Sequence, residues 1–508
     1  MKKTIHFFAL CIILGSSLNG QCPNFGTTIT LTSQSRVDAF VADYPNCVES
    51  EDHIIIGHSG APTSTDISDL SGLSPLKRVL GTLRVRNVDL LESFEGLHNL
   101  EYVEGDLIIG DNELLKNLND FINIDSVGRS LEVYGNPNLN ELFESDNLKY
   151  VGRGLSIRDN DLLENITGFQ ELDFIGENLH IVDNDNLKST SGFSNLETLN
   201  GRLEIRQSPN LKDLKGFDKL KRIEDGMEIQ GTGIEDFQGL EQLQSIPGKL
   251  LFSGVIIEDN PELRSLTGLE SLDTIERSLF LTDNPKLESI DALSSLMFIG
   301  HRLTIDNSNL IFLTALNNIA PISHTIEIGN NARLVSIDEL PLANTIDGSI
   351  FIRDNPSLIS IAAISQVDTI LSQLNIDDNI ALSACGSLCP ILTEGYVESI
   401  LNVADNSFGC NSEEEIIAEY CTTSLKDQVN AQQVRSYPNP VNDQLHISFD
   451  YGIDNVTVYK LDGTVIRTTT LLNPVSALDM EVSHFAPGLY FLEISNQQNR
   501  IVTKFLKM

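Results

Sequence analysis

The 508-residue sequence is poor in basic residues and contains no tryptophan. Lysine and arginine together number 34 against 72 acidic residues, which gives a formal net charge of -38. A field of this sign repels nucleic acid phosphates and anionic lipid surfaces, so we expect no nucleic acid partner. The absence of tryptophan disfavours broad platforms that stack on sugar rings. Basic partners and divalent cations stay compatible with the charge.

Long apolar runs are also missing. After residue 20 no stretch approaches eighteen uninterrupted apolar residues, so the sequence predicts no transmembrane segment. The N-terminus reads MKKTIHFFALCIILGSSLNGQC, with Lys2 and Lys3 before an apolar run from Ile5 to Leu14. This pattern is typical of a secretory signal peptide. We expect residues 1–20 to be removed on export.

Short motifs that carry catalysis are absent from the sequence as well. It contains no His-Glu-x-x-His pair, no Gly-x-Ser-x-Gly elbow, no phosphate-binding loop and no EF-hand loop. The histidines are scattered over different repeat positions, and the basic residues form no cluster along the chain. We therefore expect no catalytic residues and no cofactor, and a protein that is not an enzyme.

Cysteines are few and lie only at the two ends of a long repetitive region. Apart from Cys11 in the signal peptide they are Cys22, Cys47, Cys385, Cys389, Cys410 and Cys421. An even number in an exported chain predicts disulfides, with one bridge at the front and two at the back whose connectivity stays open. A zinc site of the four rear cysteines is the alternative, although their spacing matches no common zinc pattern.

The repetitive region consists of copies of one short motif. In it two apolar residues flank one outward residue, and asparagine typically stands three positions after the second apolar residue. Ten of the thirteen intervals between its copies are 24 residues. Fourteen copies at a fixed period of this size indicate a solenoid of leucine-rich-repeat length. The second apolar residue of each copy falls at Ile56, Val85, Ile109, Val133, Ile157, Ile181, Ile205, Ile229, Ile257, Leu281, Ile305, Ile328, Ile352 and Ile376.

The corner after each strand carries asparagine, and an aspartate often precedes it. An inward amide can bond its own turn and the asparagine of the next coil, and asparagine tolerates a left-handed backbone. The stacked aspartates repel one another unless they splay into water or share a cation. Calcium at Asp259 and Asp283 is therefore a hypothesis, which an unchanged melting temperature with calcium against chelator would remove.

The outward strand position between the two core residues is polar in most coils. It is apolar at Ile108, Ile256, Phe280 and Phe351. Ile256 and Phe280 lie on neighbouring coils, beside a 28-residue interval whose extra segment IPGKLLFSG predicts a loop. An exposed apolar patch beside an irregular loop is a typical ligand site, so we assign ligand binding to Ile256, Phe280 and Phe351. The alternative is that the loop covers these side chains.

The front of the array, TITLTSQSRVDAFVADYPNC, predicts a capping strand and a helix that begins after Thr32 or Ser33. A cap of this kind followed by coils of this length resembles the receptor L domain of the insulin and epidermal growth factor receptors. The resemblance covers residues 21 to about 421. It implies a right-handed β-helix that binds a protein ligand, and it transfers no binding motif.

The last 73 residues differ from the array. Pro438 and Pro440 forbid continuation of its ladder, and the pattern that follows predicts a small Ig-like antiparallel β-sandwich. Three features resemble the C-terminal sorting domain of the Bacteroidetes type IX secretion system: Tyr437-Pro438-Asn439-Pro440, the Gly488-Leu489-Tyr490 segment and a basic end. The resemblance implies the type IX machinery as a partner and the outer cell surface as the destination.

These observations predict a mainly β chain with six parts. The parts are a signal peptide (1–20), a cap of strand and helix (21–52), the solenoid (53–384), a cysteine-rich cap (385–421), a linker (422–435) and the sorting domain (436–508). We expect a surface-displayed binding or adhesion protein with an extracellular protein or glycan ligand. The alternatives are a β-helix polysaccharide-active enzyme and a passive surface-layer protein.

Overall fold

The computed structural model describes residues 22–23, 26, 28–58, 65–144, 146–249, 254–421, 434–439, 441–460, 464–496 and 500–507. The expected signal peptide, nearly all of the expected linker and part of the expected loop after Ile246 lie outside these residues. The chain divides into two compact units, Met1–Leu243 and Gln244–Met508, and each is described by itself.

The first unit opens with the predicted cap. A strand, Thr28–Leu31, precedes helix α1, Gln34–Asp43. Ser33 is the N-cap, and its hydroxyl accepts a hydrogen bond from the Arg36 N–H. Val37 and Phe40 are buried in the core, so the helix closes the open end of the solenoid as the sequence predicts.

Parallel strands, one for each coil, form the long sheet of the first unit. Each strand pairs in register with the equivalent strand of the next coil, as Leu155 does with Leu179 and Ile157 with Ile181. After the cap strand they are His53–Gly57, Leu83–Arg86, Leu107–Gly110, Leu131–Tyr134, Leu155–Arg158, Leu179–Val182, Leu203–Ser208 and Met227–Thr232. The flanking apolar residues point inward and are fully buried, which confirms the predicted core column.

The second unit repeats this arrangement. Its long parallel strands are Gly254–Glu258, Ser278–Asn284, Leu303–Ser308, Ile326–Gly329, Ile350–Arg353, Leu374–Asp377 and Leu401–Ala404. The last of these is a coil that the repeat count missed, because it lies 27 residues after its neighbour, inside the cysteine-rich cap. Together the two units contain about fifteen coils, one more than the fourteen copies found in the sequence.

Most coils also contribute a two-residue strand, and these short strands form further parallel ladders from coil to coil. In the first unit they are Glu49–Ser50, Arg78–Val79, Tyr102–Val103, Ser126–Val127, Tyr150–Val151, Phe174–Ile175, Thr198–Leu199 and Arg222–Ile223. In the second unit they are Ser245–Ile246, Thr274–Ile275, Phe298–Ile299, Thr345–Ile346, Thr369–Ile370 and Tyr396–Val397. Short 3-10 turns replace the extended corner at Ser71–Leu73, Ser191–Phe193, Asp291–Ser295, Thr314–Leu316, Ala362–Gln366 and Gly386–Leu388.

The corner asparagines form a buried hydrogen-bond ladder. Asn160 accepts from the backbone N–H and the side-chain amide of Asn136, and its own N–H donates to Asn184. This confirms the predicted amide stack. The left-handed residue of the corner is the one before the asparagine: Asp159 has φ 54°. The aspartates are placed there by the backbone, because a short polar side chain tolerates this conformation.

Glycine at the next corner admits a close backbone approach. Gly96 has φ 108°, and a Cβ there would lie 1.9 Å from the Leu70 carbonyl oxygen. Inside these corners phenylalanines stack from coil to coil, as Phe169, Phe193 and Phe217 do with ring centres 5.4 and 5.1 Å apart. These three rings are nearly parallel and fully buried.

Disulfides fasten the ends of the array. Cys22 pairs with Cys47 at the front, and two bridges lie at the back, which confirms the predicted distribution. The rear bridges are Cys385–Cys410 and Cys389–Cys421. Their pairing leaves no thiolate for zinc, so the zinc alternative is wrong. The cap they hold contains helices α2, Cys389–Thr393, and α3, Glu413–Ile416, and a π-helical turn, Ile417–Cys421.

The C-terminal domain is an antiparallel sheet of five strands: Val434–Tyr437, Gln444–Lys460, Val465–Glu481, Gly488–Ser495 and Arg500–Lys507. The second strand pairs with three others, and register shifts after Ser448 bend it. The predicted module is thus one curled sheet that nearly closes on itself. Leu445, Ile447 and Phe449 are fully buried in its core, as their alternation predicts.

Candidate binding face

One row of outward side chains crosses the long strands of the second unit. Ile256 pairs in register with Phe280, and Phe280 pairs with Thr304. Glu327 and Phe351 follow on the next two strands. Neighbouring strands are about 4.8 Å apart, so about 14 Å separates Phe280 from Phe351 along the row. Ile256, Phe280 and Phe351 are all half-buried, and the first two are immediate neighbours as predicted.

Two arginines join the aromatic residues to a central glutamate. Glu327 is only 13% exposed, and its carboxylate accepts from the guanidinium groups of both Arg302 and Arg353. The Arg302 guanidinium lies 5.6 Å from the ring centre of Phe280, and that of Arg353 lies 5.3 Å from the ring centre of Phe351. The two arginines stand beside the row, and through ion pairs and cation-π contacts they link Glu327 to Phe280 on one side and to Phe351 on the other.

A groove of about 460 Å³ lies over the first half of this row. The residues that line it are Ile256, Glu258, Phe280, Thr282, Asp283, Arg302, Thr304, Asp306 and Glu327. We call it the 256–327 groove. Its apolar wall is the pair Ile256 and Phe280, and the rest of the lining consists of carboxylates, Arg302 and two threonines. The groove thus combines the predicted apolar patch with charged residues that the sequence pattern did not single out.

Asp306 is a partly buried carboxylate of the groove. Its Oδ2 lies only 2.4 Å from the position that a Cβ on Gly329 would occupy. The glycine therefore makes room for the carboxylate. The Asn330 side-chain amide donates to both its oxygens, at 3.1 and 3.2 Å. Burial raises the pKa of Asp306, and the negative charges of Glu327 and Asp283 raise it further, while the Asn330 hydrogen bond and the charge of Arg353 partly oppose the shift.

The equivalent face of the first unit is filled by its own side chains. The Tyr134 ring lies across Gly110, where a Cβ would come within 2.4 Å of it. Arg158 approaches the ring centre to 4.4 Å and Arg86 to 5.8 Å. Arg86 also pairs with Asp111 at 2.5 Å. These residues contact one another across this part of the face.

Ile108 holds the outward apolar position in the first unit but does not add to an exposed apolar surface. It is only 7% exposed. Its register neighbours are Arg84 and Glu132, which have long side chains, and the Tyr134 ring occupies the next outward position of the face. A short outward apolar residue between long neighbours is shielded by them, so its position in the pattern does not make it a ligand contact.

The predicted calcium column has a simpler structural origin. Asp259 has φ 53° and Asp283 has φ 54°, like the other residues of this column. Asp283 accepts a hydrogen bond from the Asn307 side chain at 2.8 Å. Among the described residues, no three histidine, cysteine or carboxylate side chains form a group that could hold a metal ion. Calcium binding at Asp259 and Asp283 stays a prediction.

The predicted sorting motif is spread over two strands of the C-terminal domain. Tyr437 ends the first strand and is 54% exposed, and Pro438 is exposed beside it. The Asn439 side chain accepts from the Leu506 N–H at 2.8 Å and donates to the Lys504 carbonyl at 3.2 Å. This asparagine therefore ties the motif to the last strand. Pro440 lies outside the described residues.

The second part of the motif is structural. Gly488 begins its strand with φ 154°. Tyr490 is 3% exposed, and its hydroxyl donates to the Ala486 carbonyl at 2.8 Å. Its ring packs between Phe485 and Phe505, with ring centres 5.2 and 5.5 Å away. The tyrosine thus supports the core of the domain, while Tyr437 and Pro438 are left on the surface.

Comparison with known proteins supports both resemblances. Residues 197–295 match the family model of the Receptor L domain, and residues 435–508 match the Secretion system C-terminal sorting domain. No curated protein matches the chain. Among the described residues, no helix is both long and apolar enough to cross a membrane. The chain is a β-solenoid with a receptor L domain, and its C-terminal sorting domain marks it as a type IX secreted protein of the outer cell surface.

Proposed function

We propose that this protein is a binding or adhesion protein, not an enzyme, and that the 256–327 groove holds its extracellular ligand. The observation that carries the proposal is the groove itself. It places the half-buried pair Ile256 and Phe280 beside charged side chains on the strand face. Concave surfaces that combine an apolar wall with a few fixed polar groups are typical of ligand sites.

The surroundings of the groove favour a site that is formed in advance. Its residues stand on strands rather than on loops, and strands hold side chains with little freedom. Glu327 fixes Arg302 and Arg353 through ion pairs, which removes rotamer freedom before any ligand arrives. Phe351 extends the same row beyond the groove and provides a second aromatic contact for a ligand that covers several coils.

Capture of ligands by the purified full chain tests the proposal. The bait is wild-type protein or a variant carrying Ile256→Ser and Phe280→Ser, screened against extracellular proteins and a glycan array. The matched control carries Leu90→Ser and Ile380→Ser, two apolar side chains that are 50% and 66% exposed away from the groove. We expect a ligand that the groove variant loses and the control retains.

The same preparations separate the alternatives. Cleavage of a polysaccharide panel by the wild-type chain would support a β-helix enzyme and contradict the proposal. A folded chain that captures nothing would support a passive surface-layer protein. A ligand retained equally by all variants would place the binding site elsewhere on the chain.

A further inference from the structure

The charges that line the 256–327 groove are unequal. Three carboxylates, Asp283, Asp306 and Glu327, line it beside the guanidinium of Arg302. Arg302 is bound to Glu327, so its charge is already offset within the groove. Arg353 also binds Glu327, from the side of Phe351. The charge presented to a ligand is therefore negative.

Two of these carboxylates have only amide partners. Asp283 accepts from Asn307, and Asp306 accepts from Asn330. Within the described part of the chain, neither is in direct ion-pair contact with lysine or arginine; Arg353 acts on Asp306 only at longer range, while it contacts Glu327 directly. Asp306 is partly buried as well. A carboxylate that is withdrawn from water and has no cationic partner is stabilised by any cation that can reach it.

The apolar wall lies within reach of the same carboxylates. Phe280 and Thr282 are outward positions of one strand, and Asp306 stands beside Thr282 in the register of the next. Successive outward positions of a strand are about 7 Å apart, which matches the length of an extended lysine or arginine side chain. An aliphatic stem can lie on Ile256 and Phe280 while its charged head reaches Asp306.

We propose that the 256–327 groove binds a basic, amphipathic segment of a partner protein. A lysine or arginine head pairs with Asp283 and Asp306, and its stem and an apolar neighbour cover Ile256 and Phe280. This inference rests on the proposed function and adds the chemistry of the ligand. The formal net charge of -38 supports it, since a negative field attracts a basic partner over long range.

Two other occupants fit the groove less well. An anionic ligand would need a free guanidinium, and both arginines here are engaged by Glu327. A metal ion would need a group of three ligating side chains, and none occurs among the residues the structure describes. A peptide ammonium or guanidinium needs only the two carboxylates and brings its own apolar stem.

Binding of short synthetic peptides to the full chain tests the inference. The probes are a seven-residue peptide that alternates leucine with lysine and its counterpart with glutamate in place of lysine, measured by calorimetry at two salt concentrations. The variants are Asp306→Asn and Phe280→Ser. The matched control is Glu132→Gln, which removes one negative charge from the outward row of the first unit.

We expect the lysine peptide to bind and the glutamate peptide not to bind. Asp306→Asn should weaken the lysine peptide about tenfold, the size of one charge-assisted hydrogen bond, and Glu132→Gln by less than twofold. Phe280→Ser should also weaken it. Equal losses in Asp306→Asn and Glu132→Gln would show binding to the overall charge and overturn the inference, as would no effect of either groove variant.

The result is separable from that of the proposed function. A ligand from the capture screen that is lost with Phe280→Ser but unaffected by Asp306→Asn would keep the groove as a binding site and overturn the basic partner. The same holds for a neutral glycan that binds there while the lysine peptide does not. If no ligand from the capture screen and no peptide bound at the groove, both the proposed function and the basic partner would be overturned.

Discussion

Replacement of Asn160 by alanine tests the ladder that joins one coil to the next. The side-chain amide donates to the carbonyls of Val133 and Arg158, at 3.1 and 2.9 Å. Its oxygen accepts from the backbone N–H and the side-chain amide of Asn136, at 3.3 and 3.2 Å. Alanine removes all four hydrogen bonds. Each contributes about 1 kcal/mol net, so the expected loss is about 4 kcal/mol.

Hydrogen exchange is the suitable assay, because coils of a solenoid open locally and need not unfold in one step. A loss of about 4 kcal/mol in local opening free energy corresponds to roughly a thousandfold faster exchange around residues 131–158. The matched control is Asn186→Ala, which removes one exposed hydrogen bond to the Asp161 carbonyl at 2.7 Å. Exchange in that variant should change less than tenfold. Equal effects of the two substitutions would refute a central role for the buried ladder.

Two further predictions concern the corners. Gly96→Ala should destabilise the first unit by several kcal/mol in thermal unfolding, because φ is 108° and the Leu70 carbonyl blocks the added Cβ. The control is Gly154→Ala, where a Cβ would lie 3.3 Å from its nearest neighbour. We expect a far smaller loss of stability for the control. If the backbone alone explains the aspartate column, calcium should leave the melting temperature unchanged relative to chelator. A rise that is lost in Asp283→Asn would instead establish the calcium site.

The coil architecture could be predicted because it follows from a period. A strand of two inward residues, a corner asparagine and a fixed length are visible in one sequence, and each copy repeats the signal. The coil at Leu401–Ala404 was missed in the sequence because its spacing is irregular and cysteines surround it. The left-handed backbone was expected at the asparagines but belongs to the preceding residue, a shift of one position that only coordinates reveal.

Only part of the groove could be predicted from the sequence, for a different reason. Ile256 and Phe280 depart from a polar column, so the pattern marks them. Arg302 stands two residues before the outward position of its own strand and reaches Glu327 diagonally on the next strand. No sequence period links these positions. A search of columns two residues to either side of each outward residue would have found Arg302 and Arg353 near one glutamate.

Asp306→Asn should raise stability while it weakens binding. Burial raises the pKa of Asp306 in the folded state above its usual 3.8. Between pH 3.8 and this higher pKa, the folded state therefore binds more protons than the unfolded state. The contribution of this group to stability is therefore lost as the pH rises through that window. At pH 7 we expect a higher melting temperature for the variant, with a difference that vanishes below pH 3.8. A lower melting temperature at pH 7 would show that the carboxylate supports the fold. A carboxylate that lowers stability at pH 7 and strengthens binding would be an instance of the trade-off between stability and function.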